Sequence, residues 1–318
     1  MNDDVTAYDL ATGAVRWHTA GLVGRPRALP SDGATVLFAT RTVAALDAVT
    51  GAVRWRVTAP HDASDPAPVQ DAERVYLGTS ADSGALVQVL AYDRATGQAR
   101  WAVSVGPSWI YTTRVRGFTL SGGTLYSVVT QCTNPGCGTA VSWVIALDPA
   151  SGSERWRLRV ADGGPATLIV EPVVAAGGLL LAGEYIGNAA IAIDPVRRRV
   201  VWRTAFRVGY GGPADAPVDD SSGVVYVGSA DTYVYALDRA TGARRWETGI
   251  GGSVNALGRC GSGVVAQALG VYALRTSDGR LLGTAYDRGD ERARSPVVSI
   301  GNRLVVGTAG GVAVLRCP

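Results

Sequence analysis

Short apolar runs rich in Val, Ala, Leu and Tyr alternate along the whole chain with clusters of Gly, Asp, Ser and Thr. The pattern is clearest in DAPVDDSSGVVYVGSADTYVYALDRATGARRWETG, which divides into strand-like segments at 216–219, 224–229, 233–238 and 243–248 separated by turn residues. In the third segment Tyr233, Tyr235 and Leu237 fall on one face and Val234 and Ala236 on the other. Both faces are apolar, as in a strand covered on each side. The longest stretch without Gly or Pro, 34–50, is rich in Val and Thr and has no capped 3.6-residue period. The pattern predicts an all-β chain.

The strands come in repeats. A phrase of the form Asp, three residues, Gly, three residues, Trp occurs intact at Asp9-Gly13-Trp17, Asp47-Gly51-Trp55, Asp93-Gly97-Trp101, Asp148-Gly152-Trp156 and Asp238-Gly242-Trp246. A sixth copy, Asp194 to Trp202, has Arg198 in place of the Gly, and a seventh keeps Gly279 but neither the Asp nor the Trp. Successive Trp residues are 38, 46, 55, 46 and 44 positions apart. That period fits a four-stranded propeller blade. The repeated residues read as structural: Asp accepts backbone N–H bonds in the turn between strands three and four, and Gly takes a backbone angle other residues resist. The Trp residues (Trp17, Trp55, Trp101, Trp156, Trp202 and Trp246) supply flat burial against the adjacent blade.

The phrases VYVGSADTYVYALDRATGARRW and VIALDPASGSERW resemble blades of the pyrroloquinoline-quinone-type (PQQ-like, BamB-like) β-propeller superfamily, and the resemblance runs from Val5 to Arg316. It implies a propeller of four-stranded antiparallel blades. The superfamily includes quinoprotein dehydrogenases, the BamB lipoprotein and extracytoplasmic sensor domains, so the motif says much about fold and little about function. Its quinone-dependent members have neighbouring cysteines in a disulfide, a calcium site and a much longer chain. No two Cys are adjacent here. Neither a quinone nor any other cofactor is expected.

Complete units are read at 25–55, 65–101, 113–156, 170–202, 215–246 and 253–283, with fragments at 294–316 (strands one to three) and 5–19 (strands three and four). If the fragments share a blade, one domain over 1–318 closes with seven blades, the N- and C-terminal strands completing the last. The alternative is an eight-bladed fold whose first blade is incomplete.

Composition narrows the function. With 30 Lys+Arg, all of them Arg, against 27 acids the net charge is +3, so no nucleic-acid partner is implied. The Arg excess with abundant Ala and Gly reads as GC-rich coding bias of the actinobacterial kind. No apolar run approaches the length of a membrane span. Cys132 and Cys137 bracket a short loop suited to a disulfide. Cys260 and Cys317 fall on the same face of adjacent units, where they form either a second disulfide or two buried thiols. Paired cysteines favour an extracytoplasmic, secreted or surface-anchored protein whose signal precedes this sequence, a cytoplasmic one being the alternative.

Ligands of propellers meet the face formed by connections from strand four to the next strand one and from strand two to three. The longest unit has its excess between Ser127 and Val144, and the loop before it carries Trp109, Tyr111, Arg114 and Arg116, with Ser83, Glu184, Tyr185 and Asn188 in neighbouring loops. A second set stands where the innermost strands begin: Arg27, Asp65, Arg114, Glu171, Asp215, Asn255 and Arg294, together with the Tyr210 loop. Their mixed charge suits a small polar ligand or a self-paired channel lining. No metal site or nucleophile motif is present, and His61, near Asp65, is the one candidate base for an enzyme such as a lyase, hydrolase or cyclase. The leading expectation is a monomeric, non-catalytic propeller that binds a protein, peptide or cell-envelope ligand on this face.

Overall fold

A computed structural model of the chain describes residues 3–22, 31–61, 63, 66–82, 87–106, 112–134, 139–162, 174–184, 188–207, 218–220, 222–285, 298–300, 302–308 and 311–317. Two compact units, Met1–Pro165 and Ala166–Pro318, make up the chain. All ladders among the described residues are antiparallel, and each sheet lies within one unit.

The first unit opens with a hairpin of β1 (Asp3–Tyr8) and β2 (Val15–Leu22), followed by a sheet of β3 (Thr35–Ala39), β4 (Thr42–Asp47) and β5 (Val53–Thr58). The third sheet contains β6 (Val69–Gln70) and β7 (Arg74–Gly78). Its connection carries the short β8 (Ser80–Asp82) away to the next sheet before β9 (Gln88–Asp93) and β10 (Ala99–Ser104) complete it. The fourth sheet is the largest: β11 (Thr112–Ser121), β12 (Thr124–Cys132), β13 (Ala140–Leu147) and β14 (Glu154–Asp162), with β8 added beside β11. Five strands replace the expected four because β11, ten residues long, overruns its sheet and its first residues pair with Ser80, Ala81 and Asp82.

In the second unit, β15 (Val174–Ala176), β16 (Leu179–Glu184), β17 (Ala189–Asp194) and β18 (Arg199–Ala205) form one four-stranded sheet. A second consists of β19 (Val218–Asp219), β20 (Val224–Gly228), β21 (Tyr233–Asp238) and β22 (Arg244–Gly249). The third is β23 (Ala256–Cys260), β24 (Gly263–Gln267), β25 (Val271–Arg275) and β26 (Leu281–Ala285), and the last is β27 (Val298–Ile300), β28 (Arg303–Thr308) and β29 (Gly311–Arg316). The terminal pieces have the strand numbers read from the sequence, two at one end and three at the other. No helix among the described residues is long and apolar enough to cross a membrane.

Inner strands are buried on both faces, as β20 shows throughout, whereas outer strands such as β5 alternate. Apolar residues from consecutive sheets interlock. Val75, Leu77 and Tyr92 pack with Leu37, Val43 and Trp55 in the first unit, and Tyr226 and Ala236 with Leu257, Val264 and Leu274 in the second.

The repeated phrase is a joint between consecutive sheets. At Asp93 one carboxylate oxygen accepts the backbone N–H groups of Ala95 and Thr96 at 3.0 and 2.8 Å, together with the Thr96 hydroxyl at 2.9 Å. The other oxygen holds Arg100. Gly97 then turns at φ +72°, and the Trp55 ring of the preceding sheet lies over it so closely that a Cβ would stand 2.7 Å from the indole. The Trp55 indole N–H donates to the Arg94 carbonyl at 2.8 Å. The same joint recurs between Trp17 and Gly51, Trp101 and Gly152, Trp202 and Gly242, and Trp246 and Gly279. Each of these indoles donates to the carbonyl three residues before its glycine. Arg198, in the glycine position of the sixth copy, keeps the left-handed backbone at φ 54°.

An Arg seven residues after the Asp closes each intact turn: Arg16, Arg54, Arg155 and Arg245 reach Asp9, Asp47, Asp148 and Asp238 at 2.6 to 2.7 Å. These Arg hydrogen bonds, aided by the turn's own donors, hold Asp9 and Asp47 well below the usual carboxylate range and bring Asp93, Asp148 and Asp238 down to about 2. A carboxylate whose folded pKa is depressed stabilises the fold above its unfolded pKa of about 4, and that stability is lost as pH falls through the folded value. The urea midpoint is therefore expected to hold steady above about pH 4 and to drop steeply toward about pH 2 as the turns protonate together. A midpoint flat across that interval would show that these turns are not what holds the sheets in register.

Candidate functional site

Two groups of polar side chains lie at the loop ends named above, one in each unit. In the first unit, residues 127–132 and 140–144, within the excess of the longest unit, lengthen β12 and β13, which pair from Leu125 and Leu147 to Cys132 and Ala140. The physical reason is burial: β12 is covered at every position, so its inserted residues extend the ladder rather than leave it. Trp143 is consequently a strand residue, packed against the cluster of Val105 and Val129 with the Arg157 guanidinium 5.8 Å from its ring centre. Arg114 is exposed and stands between Ser80 and Thr130 in the ladder. Arg116 occupies the bulge between Val115 and Gly117. Thr113 and Gln131, cross-strand partners next to Arg114, are both buried.

Several expected site residues lie outside the described residues: Asp65, Trp109, Tyr111, Cys137, Glu171, Tyr210, Asp215 and Arg294, as do Arg27, Ser83 and Tyr185. His61 is half-buried just beyond β5. Asn255 is half-buried, its backbone N–H on the Gln267 carbonyl at 2.7 Å. Cys132 is disulfide-bonded, Cys260 is bonded to Cys317, and no described cysteine is free. Among the described residues no cluster of His, Cys, Asp and Glu is arranged to hold a metal ion.

The second unit holds the denser group. Glu184, at the end of β16, is buried and paired with Arg203 at 2.8 Å, and this carboxylate raises the Arg203 pKa. Asn188, before β17, has φ 44°. Its side-chain oxygen accepts from the Ser229 hydroxyl at 3.2 Å, and its amide donates to the Arg207 carbonyl. Beyond β18 the chain continues through Phe206, whose ring stacks on Tyr235 with centroids 4.4 Å apart, to the exposed Arg207. Arg207 lies over the Tyr233 ring at 4.5 Å and pairs with Glu247. Arg244 lies over the Tyr235 ring at 4.9 Å and also pairs with Glu247. Asp231 accepts from the Tyr235 hydroxyl at 2.6 Å and from the Arg207 backbone N–H at 3.1 Å.

The charges in this group are set by one another. Arg207 lowers the Glu247 pKa, and Glu247 in turn raises that of Arg207. Burial, then the bond to Asp231, pushes the Tyr235 hydroxyl up, so it stays a donor at neutral pH. Thr232, in the turn between β20 and β21, has φ 76°, an outlier for a β-branched residue. Its N–H to the Ser229 carbonyl at 3.2 Å and its carbonyl to the Ile250 N–H at 2.9 Å keep it there. What this arrangement can do is present a fixed cation over an aromatic ring.

Comparison with known proteins fits this architecture. The sequence profile of the family described as outer membrane protein assembly factor BamB matches residues 1–126 and 140–314. The chain belongs to this family. Among solved structures, BamB from Moraxella catarrhalis superposes with a TM-score of 0.72 at 21% identity, covering 99% of this chain and 91% of that one. The computationally designed Ika8 protein superposes with a TM-score of 0.54 at 16% identity, covering 91% of this chain and 95% of that one. No curated protein matches the sequence. The fold is thus the all-β propeller of the BamB family, built of antiparallel sheets.

Reasoning from the sequence alone passes over Arg207, Asp231, Arg244 and Glu247. The available signal is in the FRVGY and SADTY segments, each of which sets a charged residue close to aromatics within a few positions.

Proposed function

We propose that this BamB-family chain is a non-catalytic scaffold that binds a protein partner outside the cytoplasm, in the kind of role an outer membrane protein assembly factor has. The observation that carries this reading is the exposed Arg207 seated on Tyr233 and braced by Glu247. Arg and Tyr are the residue types that concentrate binding energy at protein interfaces. Here Asp231, Asn188 and Glu247 already fix their positions, so little freedom is lost when a partner arrives. A strained residue such as Thr232 persists where a fixed surface is needed. The disulfide between Cys260 and Cys317 supports an oxidising compartment. The reading takes the chain as a monomer without a quinone or other cofactor.

The test places a photo-crosslinking residue at Tyr233 in the full chain, expressed in its source cells, and identifies what it captures. One protein is expected, and its affinity measured with purified components should fall about thirtyfold in Arg207→Ala. Should Arg207→Ala and Tyr233→Ala both leave that affinity unchanged while the chain stays folded, the surface does something else.

A further inference from the structure

A second site, in the first unit, goes beyond that reading. After β10 the chain passes through buried Val105 to Gly106. A Cβ on Gly106 would stand 2.7 Å from the Gln131 side-chain nitrogen, 2.9 Å from the Thr113 methyl carbon and 3.2 Å from the Thr113 hydroxyl oxygen. Two polar groups from neighbouring strands thus converge beside a backbone that only glycine lets them approach. Thr113 is 4% exposed and Gln131 6%, and neither of these two atoms has a hydrogen-bond partner among the described residues. A buried donor left unpaired is costly, and two that converge on one point are rarely kept without something to meet them.

The neighbouring chemistry says what that is. Gln131 and Val129 lie on one face of β12, and across from Val129 stands Trp143, whose indole N–H is also buried without a described partner. Among the described residues, the charged residues whose ladder positions fall on this face are Arg157, near the Trp143 ring, Arg159, the cross-strand partner of Trp143, and Asp162, the cross-strand partner of Val141 at the far end of the row, while Glu154 is already bound to Arg157. The amide nitrogen and the indole N–H only donate, and the Thr113 hydroxyl can do so. An acceptor of negative charge answers all of them, and a carboxylate offers two oxygens to separate donors at once. We infer that Gly106, Thr113 and Gln131 form a binding site for a carboxylate, either a small free acid or the C-terminus of a peptide.

The full chain, labelled with nitrogen-15, is titrated with acetate, with a short uncharged peptide bearing a free C-terminus, and with the same peptide amidated, chloride serving as the control. The Gln131 amide and Trp143 indole signals are followed, assigned through Gln131→Leu and Trp143→Phe. Saturable shifts are expected with the free carboxylates and not with the amidated peptide or chloride. Tighter binding of the peptide than of acetate identifies a chain terminus as the source, and equal binding a small acid. Thr113→Val removes the hydroxyl at constant shape and should weaken binding about tenfold at an unchanged melting temperature. Gly106→Ala pushes the amide and hydroxyl apart and should weaken it at least as much; if that variant fails to fold, Thr113→Val decides alone. Shifts that never saturate, that chloride reproduces, or that survive Thr113→Val overturn the site and leave it to solvent.

Discussion

Replacing Trp55 by Ala is expected to destabilise the chain by about 3–5 kcal/mol, the range for removing a large buried aromatic. Trp55 is buried among Leu37, Val75, Leu77 and Tyr92, so truncation opens a cavity in the packing between two sheets. It also leaves the Arg94 carbonyl without the indole N–H that now reaches it at 2.8 Å. The neighbours cannot close in, because the ring rests on the backbone at Gly97, which the Asp93 turn fixes. Trp55→Phe separates the two contributions: it keeps most of the apolar contact and loses the hydrogen bond, with an expected cost of about 1–2 kcal/mol. Urea denaturation followed by circular dichroism reads both. A loss below about 1 kcal/mol in Trp55→Ala would mean that the joint is packing without consequence for stability.

Removal of the bond between Cys260 and Cys317 is the second large effect. The two residues are 57 apart in sequence, and the chain-entropy relation gives about 4 kcal/mol for a closed loop of that size. Cys260 ends β23 and is 1% exposed, packed with Val265, Val271 and Leu304, while Cys317 follows β29 with its N–H on the Asn302 carbonyl at 2.9 Å. The bond therefore ties the last strand of the chain to the sheet before it. In Cys260→Ala/Cys317→Ala, amide hydrogens of β28 and β29 are expected to exchange much faster, with the four-stranded sheet of β19 to β22 little changed. The melting temperature should fall by several degrees. Equal exchange in the oxidised and substituted proteins would show that this sheet is held by its side chains alone.

The strands and joints are legible because their signals are local. Asp, Gly and Trp each act within a turn or on the nearest carbonyl, and alternation in segments such as 233–238 marks burial directly. The Arg that closes each turn is equally local, yet an Arg-rich composition makes any one Arg look like background. Its regular place beside Trp, as in Arg54-Trp55 and Arg100-Trp101, is the available clue. The polar groups are less legible for a different reason. Arg207, Asp231 and Glu247 come from three segments, and only folding brings them around Tyr233 and Tyr235. The convergence of Thr113 and Gln131 on Gly106 likewise depends on the register of β11 against β12, which no composition or spacing discloses.

The turn at Gly97 and the ring of Trp101 belong to one repeat, yet each is completed by a different neighbour: Gly97 receives Trp55, and Trp101 is received at Gly152. Such a copy carries both plug and socket. A duplicated stretch of gene encoding one repeat would bring along both halves of its own attachment, and a deletion would remove both, leaving the flanking copies still able to mate. Proteins assembled this way can change their repeat number without redesigning an interface, while their loops diverge independently. The copy around Gly279 has only the socket, since Gly283 stands where its ring would be and offers nothing for a further turn to receive.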